Sequence, residues 1–241
     1  MTLFFFWFAV SLNRGPHLLQ CKERTLPSVT VIEGCLKVEH SAVVPMCKFE
    51  SRALTRRVNA LVEAKLREAS DYEDVAPTGG EDDDDCGDDL DGRTYEVSAD
   101  CDRPFRVADV VSYPCRRVWT VPRSGGTPWP IVLQLGSTVR ELRLPDLLVN
   151  DAAEQKFWEL VRDDIRRQMK ELDEDAGPDD HPDVDERLGE ANTRYAGAVL
   201  TPDGLKVSYD HYVFGWSIID ATIPYAKLHG ILQPRLIPTK P

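Results

Sequence analysis

Three groups of residues have types and spacings that could do chemistry. Asp210-His211-Tyr212 is the compact titratable set, and a histidine held by a carboxylate is a common general acid–base unit. The surrounding pattern is that of a strand, however, where consecutive side chains point to opposite faces, so Asp210 is poorly placed to orient His211. A structural role is expected for both. The second group is the run Glu81 to Asp91, in which Asp82, Asp84, Asp89 and Asp91 offer hard oxygen ligands beside Gly87, the donor type that calcium takes. An EF-hand loop closes on a bidentate Glu at its twelfth position. Counted from Asp82 that position is Arg93, which leaves calcium as the alternative to a solvated acidic run.

The third group is the six cysteines, at 21, 35, 47, 86, 101 and 115. None has the Cys-x-x-Cys spacing of zinc ribbons or thioredoxin-like sites, so disulfides in an exported protein explain them better than a metal. Cys101 with Cys115 and Cys35 with Cys47 each close a short loop between extended segments. Those are the expected pairs among fifteen possible pairings. No Gly-x-Ser-x-Gly elbow, His-Glu-x-x-His helix or phosphate-binding glycine loop is present. A non-enzymatic role is expected, with no cofactor beyond the calcium alternative. An envelope enzyme of unfamiliar type, drawing on His211 or on carboxylates of the acidic runs, is the competing reading.

The elements that must position these residues begin at Leu3 to Leu12, an apolar run of signal-peptide length and too short to span a bilayer. Leu18-Leu-Gln-Cys21 has the outline of a lipoprotein box, which would lipidate Cys21 and give the one route to a membrane. Residues 1–21 are therefore read as a signal segment. Leu36 to Met46 reads as one or two strands, and Glu50 to Ser70 as an amphipathic helix with Leu54, Val58, Leu61, Val62 and Leu66 on its buried face. Residues 22–94 form a small strand–helix subdomain with an acidic insertion at 71–93. Residues 95–241 form a second α+β domain with another at 171–190.

In that second domain the expected strands are Tyr95 to Val97, Val107 to Tyr113, Arg117 to Val121, Ile131 to Leu135 and Val139 to Leu144, with Ser124 to Pro130 as a loop. Asn150 can cap a helix from Asp151 to Leu172, whose stripe is Phe157, Leu160, Val161, Ile165 and Leu172. Thr201-Pro-Asp-Gly204 is a hairpin turn, and Pro224 opens a short helix. The fold class is α+β: antiparallel sheets packed by two long amphipathic helices and a short C-terminal helix.

The net charge of −12 over 241 residues is unevenly placed. Residues 71–93 carry −10 and residues 171–190 carry −9, which leaves +7 for the remainder. Two strongly anionic segments argue against nucleic acid as the main partner, since they would repel phosphate.

The chain's last third resembles the C-terminal extracytoplasmic domain of the RsiV-type lysozyme-sensing anti-sigma factors, which also accompanies PdaC-type peptidoglycan deacetylases. The resemblance is carried by Leu200, Thr201, Gly204, Leu205, Tyr209, Tyr212, Gly215, Ile223, Pro224, Tyr225 and Leu228. Among these, Gly204, Tyr212, Gly215, Pro224 and Tyr225 are the signature of a fold, not of a reaction. Arg140 to Leu148 matches the family's strand-to-helix passage, and Thr127 and Pro128 stand where its Gly-Gly-Ala-His-type loop has Ala and His. The resemblance implies an exported module of the cell envelope that binds or senses a protein or wall ligand such as a lysozyme, with the catalytic domain of the deacetylases absent. The full anti-sigma role is not expected, because the stretch ahead of Leu36 is short for a sigma-binding segment and a membrane span.

The run from Asp82 to Asp91 is expected to be solvated, so melting in the presence of a chelator should match melting in added calcium. A downward shift of several degrees with the chelator would assign the ion instead.

Overall fold

The computed structural model describes residues 16–33, 36–70, 94–121, 123–173, 195–209 and 220–238. In chain order the elements are β1 (His17–Leu18), β2 (Cys21–Thr25), β3 (Val29–Glu33), β4 (Leu36–Cys47), α1 (Arg52–Ser70), β5 (Thr94–Cys101), β6 (Phe105–Val107), β7 (Val110–Tyr113), β8 (Cys115–Val121) and β9 (Arg123–Pro128). They continue with β10 (Ile131–Gln134), β11 (Arg140–Glu141), α2 (Leu144–Leu147), α3 (Asp151–Asp173), β12 (Tyr195–Leu200), β13 (Gly204–Tyr209) and β14 (Asp220–Pro224). Two 3₁₀ turns, Tyr225–Lys227 and Pro234–Leu236, follow. The chain is α+β with mostly antiparallel sheets.

A six-stranded sheet is ordered β2-β4-β5-β8-β9, with β3 also on β4. A five-stranded sheet runs β1-β6-β7-β10-β11, and a three-stranded one β12-β13-β14. Among the described pairings the ladder from β4 to β5 is the parallel one. A parallel pair needs a return crossing of a dozen residues or more, and α1 begins that crossing while packing on the same sheet. Strands β5, β8 and β9 share one sheet with β2, β3 and β4.

The five-stranded sheet has apolar residues on both faces. Val110, Val132, Phe105 and Val107 enter one core with α3 and the C-terminal hairpin. Val111, Tyr113, Ile131 and Leu133 enter a second core with α1, β2, β4 and β5. Strand periodicity of two sends alternate residues of β7 and β10 to different cores. This explains why these strands read as short continuous apolar runs.

Both long helices form where the periodicity places them. Val58, Val62 and Leu66 of α1 are buried, as are Phe157, Val161 and Ile165 of α3. Asn150 caps α3 by accepting the Ala153 N–H at 2.9 Å. Residues Val107 to Tyr113, expected as one strand, are instead the β6–β7 hairpin. Ala108 at its turn takes φ of 51°, a left-handed conformation that disfavours a side chain. Ser124 to Pro130, expected as a loop, is largely β9, paired to β8 from Arg116↔Pro128 to Val121↔Arg123.

Cys101 and Cys115 are joined directly across the β5–β8 ladder. Cys47 is joined to Cys21, its register partner on β2, and not to Cys35. The reason is that β4 is one strand of 12 residues, so its start lies on the order of 35 Å from Cys47, far beyond the reach of a disulfide. Cys21, expected as a lipidation site, has its sulfur in that bond and offers no thiol for acylation. Cys35 and Cys86 themselves lie outside the described residues. Asn59 of α1 reinforces this corner, its amide accepting from Cys47 N–H and donating to Cys47 C=O, both at 3.1 Å.

The Cys101–Cys115 bond closes a 14-residue separation, which corresponds to about 3 kcal/mol of constraint on the unfolded chain. The double variant Cys101→Ala/Cys115→Ala should lose about that much in urea unfolding. A negligible loss would show that the β5–β8 ladder keeps its register without the bond.

Candidate functional site

The three-stranded sheet has two unlike faces. Leu200, Leu205, Val207, Ala221 and Ile223 fill the core beneath it. Val199, Lys206, Ser208 and Asp220 point the other way, toward the β8–β9 hairpin. Between the two surfaces lies a cleft of about 440 Å³, walled on the far side by Arg116, Val118, Gly126, Thr127, Pro128 and Pro130. Asp102 and Pro114 close one end.

Tight contacts set the shape of the cleft. Gly204 faces Pro224 in the β13–β14 ladder, and a Cβ there would collide with the Ile223 carbonyl. Gly197 sits against the Pro130 ring in the same way, which fixes how closely β12 approaches the β9 end. Ser112 of β7 accepts the Leu200 N–H at 3.1 Å, tying β12 to the double-faced sheet. On the outer edge, Asp164 accepts the Thr222 N–H at 3.3 Å and Gln168 donates to the Asp220 carbonyl at 2.9 Å. Side chains of α3 thus satisfy the edge of β14, a position that would otherwise invite another strand.

Charges in the cleft come as neighbouring opposites. Lys206 pairs with one carboxylate oxygen of Asp220, while the other, Oδ1, is buried with no partner among the described residues. Arg116 donates to Asp100 at 2.9 Å. That bond and the charge of Asp100, with a contribution from Asp102, raise the Arg116 pKa and keep it cationic. The described lining has hydroxyls but no histidine and no free thiol. Such a surface can hold a polar or charged ligand. It does not present a nucleophile with an adjacent base.

Several signature residues are placed together here. Pro224 ends β14 and Tyr225 opens the 3₁₀ turn, where the Tyr225 hydroxyl donates to the Thr201 carbonyl at 2.8 Å. Burial, with Asp203 adding its negative charge, pushes the phenol pKa up, so the hydroxyl stays protonated and able to donate. Asp210, His211, Tyr212 and Gly215 lie outside the described residues, as do Asp82, Asp84, Asp89, Asp91, the acidic insertion at 71–93 and nearly all of that at 171–190. Among the described residues no cluster of His, Cys, Asp or Glu is arranged to hold a metal ion, and no helix is long and apolar enough to cross a membrane. Sequence reasoning missed Lys206, Asp220 and Arg116 as cleft residues. Their only signal was a charge within a strand, on the face opposite the apolar one.

The fold and the cleft define a two-core α+β domain with a groove between two sheet surfaces. The chain is similar to the crystal structure of a DUF3298 family protein from Pseudomonas aeruginosa PAO1, at a TM-score of 0.53 and 15% identity, over 92% of this chain and 98% of that one. A second DUF3298 family structure, from Bacteroides fragilis, aligns at a TM-score of 0.49 and 15% identity over 90% and 96%. At these identities the likeness is one of fold. No family model and no curated protein sequence matches significantly.

Gly204→Ala should destabilise the protein by about 1–3 kcal/mol, the range for overpacking, because the colliding atom is backbone. Tyr225→Phe should cost about 1 kcal/mol for the lost hydrogen bond. Denaturant midpoints of the two variants check this, and Gly204→Ala at wild-type stability would mean that β13 and β14 separate freely.

Proposed function

We propose that this chain is an exported, non-enzymatic module of the cell envelope that binds a protein partner through the cleft, with a cationic lysozyme as the first candidate. The observation that carries this reading is convergence. The C-terminal hairpin, which carries the family resemblance, and the β9 segment, where Thr127 and Pro128 replace the family's Ala and His, supply the two walls of one groove.

Further support comes from electrostatics and from the cysteines. Asp102, Asp100 and Asp220 give the cleft acidic groups beside its cations, and the sequence carries two strongly anionic runs that would speed encounter with a basic protein. Two cross-strand disulfides accord with an oxidising compartment. The RsiV-type resemblance supplies the sensing role and the DUF3298 likeness supplies the scaffold. Neither by itself names a ligand.

Titration of the purified, oxidised protein with a cationic lysozyme at low and moderate salt tests the proposal. One-to-one binding should survive moderate salt, and Asp102→Asn, at an exposed cleft position, should weaken it about tenfold if charge pairing there is specific. Binding that vanishes with salt would reduce the effect to general attraction by the acidic runs. Absence of binding at either salt would overturn the lysozyme reading.

A further inference from the structure

On the face of β8 opposite the cleft, Arg117 lies between two indoles. Its guanidinium carbon is 5.8 Å from the Trp119 ring centroid and 5.9 Å from that of Trp129. The residue is only 9% exposed. Its Nε is sealed from solvent, and among the described residues it meets no acceptor and no carboxylate pairs with the group. The cross-strand neighbours are Ala99 on β5 and Thr127 on β9, neither of which carries charge. Gly125 opposite Trp119 leaves the indole space to lie down, since a Cβ there would stand 2.6 Å from the ring.

Two ring faces offset part of the cost of burying the cation. They do not satisfy its hydrogen-bond donors, which lie in the plane of the guanidinium. An unpaired buried charge is costly, and the ligand shape that fits a flat fork confined between walls is itself flat. A carboxylate accepts two parallel N–H bonds in that plane, whereas a tetrahedral phosphate would push oxygens toward the indoles.

We propose that Arg117, held between Trp119 and Trp129, is a carboxylate-binding site. It is separate from the cleft and does not rest on the lysozyme reading. The carboxylate belongs either to a small acid or to the free end of a peptide.

The test is indole fluorescence of the full, oxidised chain, titrated at constant ionic strength with acetate, with phosphate, and with an acetylated tripeptide as its free acid and as its amide. Acetate and the free acid should each give a saturable change, and the amide none. Arg117→Lys, which keeps the charge and loses the fork, should weaken binding about tenfold. Arg117→Met, which keeps the stem between the rings, should abolish it. A free-acid peptide that binds about tenfold tighter than acetate would identify a chain terminus as the natural source, and equal affinity a small acid. The proposal fails if free acid and amide respond alike, a comparison that needs only the wild-type chain. It fails equally if phosphate competes as well as acetate, or if folded Arg117→Lys binds unchanged.

Discussion

The structure depends on one constraint, the burial of both faces of the β7–β10 pair. Val110 and Val132 belong to the core under the C-terminal hairpin, while Val111, Ile131 and Leu133 belong to the core under α1. A slip of one residue in this ladder would exchange every side chain between the two cores. Packing at interior density on both sides therefore fixes the register and, with it, the relative position of everything attached to either face. Ser112 shows the same constraint in polar form. It sits fully buried, and its hydroxyl accepts the Leu200 N–H that anchors β12.

From this shared layer the cleft follows as a geometric consequence. The hairpin sheet is held to one core, the β8–β9 hairpin belongs to the sheet of the other, and the surfaces they turn toward each other mix Val118, Val199, Pro128 and Pro130 with charged groups. Lys206, Asp220, Arg116 and Asp102 are brought together across long sequence distances without any one of them being central to a core. Small residues decide the spacing: Gly204 permits the β13–β14 approach and Gly197 permits β12 to meet Pro130. The same β8 strand presents Arg116 to the cleft and Arg117 to the opposite face, so adjacent arginines meet unlike environments, one beside carboxylates and one between indoles.

Corners of the fold are secured by polar contacts whose worth lies in direction. Asp109 accepts from Gln134 at 2.8 Å and pairs with Arg235. Burial alone would raise its pKa, but these partners together lower it, so the carboxylate stays charged and ties the C-terminal turn to the β6–β7 hairpin. Asn59 performs a comparable task at the end of β4, matching both backbone groups of Cys47. The Asn59 contacts satisfy backbone groups that would be costly to leave unpaired in the interior.

Features under short-range control were legible in the chain. The stripes of α1 and α3, the Asn150 cap, the turn at Thr201 to Gly204 and the break at Pro224 all follow from periodicity and local backbone preference within a few residues. Tertiary structure alone decided the partner of Cys47, the parallel β4–β5 ladder, the strand identity of the Gly125-Gly126 segment and the convergence of the cleft residues. Those depend on which strands lie side by side and in what register. That choice is made by the packing of two cores on one sheet, to which residues far apart in the chain contribute together and which no local window contains.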